Sequence, residues 1–487
     1  MISRRLSTKE LNDKRITMTT SKTPLISKPL RIFIVLLIMF LAIFNYIDRA
    51  ILVPNQEFII MDLFGVSQVE AAERTAMISG LHTVFKWSAA LCTIAYGYLS
   101  DKFPRKMILV IGSLAYGICT MFTFFVKTYE QLVALQIITA VSIGASLPTS
   151  YTILSDLYPQ LNRGRVFGVF GISTILGDIL GNLTVSLIFP VDPANLANWR
   201  PPFLLVGVLD LVLTGLIFIF VKEPKRAITE NYLDQVVSQE GIEYSYRIRK
   251  QDLADLWNVH SNRWLILNFV DNITGGYMLA TAIPWMKEHG ATSTVAGIII
   301  LFPALGILFG NLFFGWLGDK LFKKDKRGRV LTCIICICVS AVMLPIASVL
   351  PYDLTGLDIG QALSSLVFIG ILLFWLVFFF FNNGIGPHWH ATILDTNKVE
   401  ARGSMLSIAV FFEEFGEGLG ILIGAWIHDG LTLAGIAMPY SITWGVLTVF
   451  IIGGAVFWFF LYRNVAKDIA RVDELNKQRA EELKNTR

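Results

Sequence analysis

Ionisable side chains interrupt the long apolar stretches of this chain, where they could carry protons or hold a charged solute. An ionised group at the centre of a bilayer costs at least about 2.5 to 3.5 kcal/mol, so we expect few of them without a function. They form no recognisable arrangement of nucleophile and base, which argues against an intramembrane enzyme. The candidates are Asp48, Arg49, His82, Lys86, Asp178, Asp210, Asp271, Glu413, Glu414 and Glu417.

Three of these candidates, Glu413, Glu414 and Glu417, are clustered in one short segment. Repulsion between like charges and a low dielectric both oppose ionisation, so the three carboxyl groups cannot all stay charged within a bilayer. At least one of them should therefore hold a proton at neutral pH. This favours proton coupling over simple facilitation, with sodium as an alternative coupling ion that nothing in the sequence specifies.

The elements that position these residues are membrane-spanning helices. Of the 487 residues, 54% are hydrophobic and only 16% are charged, whereas soluble domains contain about 45 to 50% apolar and 25% charged residues. A bilayer core of about 30 Å needs roughly 20 apolar residues in a helix, because lipid offers no partner to an unpaired peptide group. We predict an all-α membrane protein with twelve transmembrane helices, near residues 31–53, 75–98, 107–126, 131–154, 165–189, 202–221, 263–286, 294–317, 329–350, 361–386, 403–427 and 438–461.

The distribution of basic residues predicts the orientation of these helices. The chain has 41 Lys and Arg residues, and nearly all of them lie in the loops and tails on one side of the predicted membrane. The loops on the opposite side contain only Arg74, Lys127, Arg200 and Lys287. The positive-inside rule therefore predicts that both termini are cytoplasmic, in a multi-pass protein of the plasma membrane.

Several other classes of protein do not fit the sequence. A net charge of +4 gives no basis for nucleic-acid binding, and no Walker-type glycine loop indicates ATP-driven pumping. The five cysteines lie in apolar runs and predict neither a disulfide framework nor a metal site. We expect no cofactor, and we expect a monomer whose partners are a small-molecule substrate and the surrounding lipid.

One motif occurs twice in the chain. It reads Gly97-Tyr-Leu-Ser-Asp101-Lys-Phe-Pro-Arg105-Lys106 after the second predicted helix and Gly315-Trp-Leu-Gly-Asp319-Lys320 after the eighth. Arg-Gly pairs likewise open the fifth and eleventh helices, at Arg163 and Arg402. A six-helix unit has therefore been duplicated. We predict a basic cytoplasmic tail at 1–30, a first half at 31–221, a cytoplasmic linker at 222–262, a second half at 263–462 and a cytoplasmic C-terminal tail at 463–487.

With these motifs the chain resembles the major facilitator superfamily over residues 31–462. The segment Asn45-Tyr-Ile-Asp48-Arg49 is similar to the Spinster-type subgroup, whose members move lysolipids and related amphiphiles. The resemblance implies transport by alternating access, with the substrate bound between the halves. It also implies that Asp101, near the start of helix 11, and Arg105 hold a cytoplasmic gate shut. Anchoring of the loop at the lipid headgroups is the alternative for its basic residues.

The family's architecture places helices 2 and 11 against each other. His82 and Lys86 share one helix face, as do Glu413 and Glu417. At about 1.5 Å per residue, their depths pair Lys86 with Glu413 and His82 with Glu417, while Glu414 should point elsewhere. We expect an inter-half bridge that closes the outer side and that protonation of His82 or a glutamate opens or remakes; a permanent bridge fits the same spacing.

The resemblance also indicates which residues line the substrate and proton pathway. Asp48 is expected to be a proton-accepting carboxylate in the cavity, or else one partner in a fixed contact between helices. Asp271 should face the cavity from helix 7. Gln136 stands where the family often carries an arginine, and it is expected to hold an anionic or polar substrate head together with Arg49. Structural contacts are expected for Asp178 and Asp210.

These observations predict a secondary active transporter of a small organic solute, anionic or amphiphilic, that is coupled to protons and works by alternating access. A facilitative uniporter and a non-transporting membrane sensor of the same fold are the alternatives. A non-transporting descendant could lose its gate motifs, and the presence of both motifs favours transport.

Overall fold

The computed structural model describes residues 27–485 except for 53–54, 74–75, 192–194, 292–294, 297–298, 300 and 351. All regular secondary structure in these residues is helical. In the first half the long helices are α1 (Lys28–Leu52), α2 (Ala76–Lys102), α3 (Arg105–Thr123), α4 in two pieces (Tyr129–Ile143 and Ser146–Leu157), α5 (Arg163–Leu183) and α6 (Pro201–Phe220). In the second half they are α7 (Phe269–Glu288), α8 (Leu301–Phe322), α9 (Gly328–Val349), α10 in two pieces (Leu366–Asn382 and Gly386–Thr396), α11 (Arg402–Leu433) and α12 (Pro439–Asn485).

Nine of the helices in the described part of the chain are long and apolar enough to cross a bilayer, which defines an integral, multi-pass membrane protein. They are α1, α3, α4, α5, α6, α8, α9, α10 and α12. The other long helices, α2, α7 and α11, carry Lys86, Asp271 and the three glutamates, and their more polar composition sets them apart from the nine.

Small residues allow α7 and α11 to pack closely. Gly416, Gly420 and Gly424 repeat at a spacing of four on α11, so they lie on one face of the helix. A Cβ atom on Gly420 would collide with the carbonyl oxygen of Ile273, and one on Gly424 would collide with the ring of Tyr277. This close packing, which is common in membrane helices, fixes the face that α11 turns toward α2 and the first half.

The last helix extends well beyond the predicted membrane segment. α12 continues without a break to Asn485, and its residues Val465 and Ile469 are buried. A small hydrophobic cluster joins this extension to the linker; its buried members include Leu233, Val236, Val237, Tyr244, Ala480 and Leu483. The predicted C-terminal tail is therefore a packed helix. We call the end of the bundle at which the linker, the α12 extension and both motif loops meet the linker end.

Candidate functional site

Asp101 connects the two halves at the linker end. Its carboxylate accepts hydrogen bonds from the backbone N–H groups of Gly403, at 2.9 Å, and Ser404, at 2.6 Å. These N–H groups belong to the first turn of α11, where intrahelical acceptors are lacking and the helix dipole favours an anion. The side chain is buried, so water cannot readily replace these bonds. The first copy of the motif thus caps a helix of the second half.

Asp319 makes the reciprocal contact from the second half. Its carboxylate accepts the backbone N–H groups of Gly164, at 3.0 Å, and Arg165, at 2.9 Å, in the first turn of α5. Arg329 adds an ion pair of 2.6 Å to the same carboxylate. The duplicated sequence therefore produces a duplicated contact, in which each half caps a helix of the other.

The glycine of each motif permits this close approach. A Cβ atom on Gly97 would collide with the side chain of Ser407, and one on Gly315 would lie 2.6 Å from the carbonyl oxygen of Gly164. Only a residue without a side chain fits at these crossings of α2 with α11 and of α8 with α5.

The basic residues of the first motif contact other groups. Arg105 is buried and pairs with Asp156, at 2.5 Å, and with Glu223, at 3.0 Å. The ammonium group of Lys106 donates to the carbonyl oxygen of Phe218 at 2.7 Å. Within the described residues, these contacts stay in the first half and at the start of the linker. The expected part of Arg105 in holding the gate shut stays a prediction.

A linker residue that the sequence did not single out joins the halves once more. Glu230 accepts two hydrogen bonds from Arg402, at 2.7 and 2.8 Å, and pairs with Arg163. Burial would raise the pKa of Glu230, but the two guanidinium groups outweigh burial and lower this pKa to about 2. The available signal was the pair of Arg-Gly motifs, since each arginine, once buried, requires an anionic partner.

Lys86 forms a second connection between the halves, farther from the linker end. Its ammonium group pairs with Glu417 and lies 3.5 Å from Glu414. The predicted pairing of Lys86 with Glu413 was wrong by one helical turn, because depths counted from the ends of apolar runs do not determine how two helices are staggered. The expectation that Glu414 points elsewhere was also wrong, since residues three apart share a helix face. The side chain of His82 lies outside the described residues, so its pairing stays a prediction.

A small cavity lies beside this bridge, between α1, α2, α4 and α11. Its polar lining comes from Asn45, Tyr46, Thr93, Ser146 and Glu414, and the rest of the wall is apolar. The cavity volume is about 30 Å³, which leaves room for no more than a few water molecules.

Asp48 and Gln136 are not among the residues that line this cavity. Asp48 is buried within the first half and lies within electrostatic range of Asp210 on α6. Gln136 is buried as well, and its Nε2 has no hydrogen-bond partner among the described residues. The side chain of Arg49 lies outside the described part. The proposed roles of these three residues in the pathway stay predictions.

Asp271 is likewise not among the residues that line this cavity. Its carboxylate accepts a hydrogen bond from Asn268 at 3.0 Å, and its Cβ packs against Gly454 of α12. Residue spacing gave the depth of Asp271 but not the direction of its side chain. Its predicted part in binding remains untested.

The fold and the paired contacts define a membrane protein built from two related helical halves. A family model, the Major Facilitator Superfamily, matches residues 38–371 and 265–485. The chain belongs to this family.

Known relatives are named as transporters of organic anions. The chain is 25% identical over 271 residues to a probable sulfoacetate transporter of Cupriavidus necator, an alignment that covers 53% of this chain and 60% of that protein. It is 23% identical over 308 residues to a D-galactonate transporter of Escherichia coli, covering 60% of this chain and 68% of the relative. Family and relatives indicate a transporter and not an enzyme.

Solved structures show the same fold. A proton:xylose symporter of the superfamily aligns with a TM-score of 0.66 at 14% identity, covering 88% of this chain and 95% of the symporter. A bacterial homologue of the human lysosomal transporter Spinster, in an inward-facing and unoccupied conformation, aligns with a TM-score of 0.54 at 15% identity, covering 91% and 99%. The family model confirms the resemblance to the superfamily, and a Spinster homologue is among the structural neighbours.

Proposed function

We propose that this protein is a proton-coupled secondary transporter that moves a small organic anion across the plasma membrane by alternating access. The bridge from Lys86 to Glu414 and Glu417 is the observation that carries the proposal. It joins the two halves beside a central cavity and contains carboxyl groups that can take up protons. The names of the relatives support an organic anion as the substrate.

This proposal includes a topology. Together with the nine apolar helices, α2, α7 and α11 would make twelve spans, and their even number puts both termini on one side. The concentration of basic residues assigns that side, and with it the linker end, to the cytoplasm. The working unit is a monomer in lipid.

The contacts at the linker end support alternating access. Asp101 and Asp319 each cap a helix of the opposite half, and Glu230 joins Arg163 to Arg402. This set of contacts closes the cytoplasmic side. When the halves rock to face inward, the backbone N–H groups of Gly403 and Gly164 must lose their carboxylate partners.

The bridge would link this motion to protons. A carboxylate that takes up a proton loses its net charge, so its attraction to the ammonium group of Lys86 falls sharply in a low dielectric. Protonation of the glutamates on α11 would therefore release α2 from α11 near the cavity. Arg49 and Gln136 would line the path that the substrate takes, while Asp48 and the glutamates handle protons. Asp271 adds a further acid in the second half.

Uptake into liposomes that contain the purified protein tests this function. We expect labelled D-galactonate or sulfoacetate to enter faster under an inward proton gradient, with no requirement for sodium. Lys86→Gln and Glu417→Gln should lose the response to the gradient, whereas Lys467→Gln, at an exposed site on the α12 extension, should keep it. Uptake that ignores pH would contradict coupling and indicate a uniporter, and uptake driven by sodium would contradict the proton as the coupling ion. If no organic anion enters under any gradient, the proposed function is contradicted, and the non-transporting sensor becomes the favoured alternative.

A further inference from the structure

The amide of Asn45 is incompletely paired at the wall of the central cavity. Its Nδ2 donates to the hydroxyl of Ser146 at 3.0 Å. Its Oδ1 has no hydrogen-bond partner among the described residues, and because Asn45 is only 4% exposed, bulk water cannot readily supply one. A buried carbonyl oxygen without a donor is unfavourable, and native proteins usually supply one from a neighbour, a water molecule or a ligand. Because Asn45 lines the cavity, a donor can reach it from there.

A carboxylate of the Lys86 bridge, Glu414, also lines this cavity. Lys86 is held closely by Glu417, whereas Glu414 lies 3.5 Å away. Of these two carboxylates, only Glu414 lines the cavity. An anionic group that enters the cavity could take the place of Glu414 at the ammonium group, while Glu417 keeps Lys86 in position.

We infer that Asn45 and Lys86 form a substrate subsite for a hydroxylated organic acid. The carboxylate or sulfonate of this acid pairs with Lys86 in place of Glu414, and a hydroxyl group of the same molecule donates a hydrogen bond to Oδ1 of Asn45. This inference rests on the proposed function and deepens it by naming the class of substrate.

The remaining wall and the size of the cavity agree with this assignment. Ala89, Ile143 and Val410 offer apolar surface to a carbon skeleton. The cavity volume of about 30 Å³ is too small for an organic acid, so the ligand must widen the cavity as it binds. Moving Glu414 away from Lys86 supplies that widening and breaks one contact between the halves, which links occupancy to the conformational change.

Three probes of matched chain length test the inference by titration of the purified full-length protein. D-gluconate carries both an anion and hydroxyl groups, hexanoate carries only the anion, and sorbitol carries only the hydroxyl groups. We expect gluconate to bind tighter than hexanoate by about 3- to 10-fold or more, as one added hydrogen bond allows, and sorbitol to bind weakest. This comparison needs no variant, so it holds even if a substitution fails to fold.

Variants assign the two contacts. Asn45→Leu should weaken gluconate binding to the level of hexanoate and leave hexanoate unchanged. The control Asn182→Leu, at an exposed position on α5, should change neither. Glu414→Gln should strengthen binding of both acids because it removes the competing anion, and Lys86→Gln should weaken both.

The outcomes separate this inference from the proposed function. Equal affinity for gluconate and hexanoate, or equal loss of both in Asn45→Leu, would overturn the subsite while organic-anion transport still stands. Failure of both acids to bind the wild-type protein, together with no uptake of any organic anion, would overturn the inference and the proposed function together.

Discussion

Glu230 holds Arg402 through two parallel hydrogen bonds of 2.7 and 2.8 Å. The carboxylate belongs to the linker, and the guanidinium belongs to the first residue of α11 in the second half. The same carboxylate pairs with Arg163, which opens α5 in the first half. One linker residue therefore neutralises the equivalent arginines of both repeats, and it does so only while the halves are together at the linker end.

Glu230→Gln should destabilise the protein strongly. The substitution keeps the shape of the side chain but removes the charged partner of buried Arg402 and leaves Arg163 with Asp395. Breaking a buried pair in this way costs about 3 to 5 kcal/mol. We expect a clear drop in Tm in detergent. The control is Glu240→Gln in the same linker, because the pair of Glu240 with Lys484 is partly exposed to solvent and should contribute about 0 to 1 kcal/mol. Equal Tm values for the two variants would contradict a large contribution of the Glu230 ion pairs to stability.

The contribution of Glu230 should depend on pH in a defined direction. Its pKa is lowered from an ordinary value of 4.5 to about 2. A lowered pKa in the folded state means that the stabilisation is complete above pH 4.5 and is lost as the pH falls toward 2. The Tm difference between wild type and Glu230→Gln should therefore be constant near neutral pH and shrink in acid. A difference that stays constant down to pH 3 would contradict this assignment.

The two motif aspartates should open the linker end together. Asp101→Asn removes the charge that caps α11, and Asp319→Asn removes the one that caps α5. If both contacts belong to one gate, each substitution should speed hydrogen exchange at both helix starts, around Gly403 and around Gly164, as measured by mass spectrometry.

The control for this experiment is Asp255→Asn, since Asp255 is an exposed linker residue. It should leave exchange at both sites unchanged. Faster exchange only at the helix that each mutated aspartate caps would show two separate caps and would contradict a single gate.

Charge reversal should identify the partner of Lys86. Lys86→Glu and Glu417→Lys should each abolish gradient-driven uptake, because each places like charges face to face. Combining the two restores an opposite pair, so we expect the double variant to recover part of the activity. The matched combination of Lys86→Glu with Glu413→Lys should stay inactive. Recovery with position 413 and none with position 417 would favour the pairing predicted from helix depth.

Patterns that repeat along the chain could be predicted from the sequence. Apolar runs and duplicated motifs predicted the helical membrane fold, and the resemblance pointed to Asp101 at the start of α11. These features depend on local composition or on a motif. The stagger of α2 against α11 could not be predicted, because it depends on tertiary packing such as the close contact of Gly97 with Ser407. Lys86 was therefore assigned to the wrong glutamate.

The directions of the Asp48 and Asp271 side chains and the contacts of Glu230 could not be predicted from the sequence either, because they too depend on tertiary packing. Polar residues near Asp48 and Asp271, such as Asn45, Arg49, Asn268 and Asn272, lie on several faces of their helices, so hydrophobic periodicity does not show which face meets the cavity. Glu230 lies in a polar segment where a glutamate is unremarkable. Its role depends on two arginines far away in sequence that only the closed bundle brings together.

Proton movement during transport tests the central claim most directly. Liposomes that contain the protein and an internal pH-sensitive dye, with no imposed gradient, should become acidic inside when D-galactonate or sulfoacetate is added outside. Acidification should be absent in Lys86→Gln liposomes and normal in Lys467→Gln liposomes. Entry of the labelled anion into wild-type liposomes without any change in internal pH would contradict proton-coupled transport.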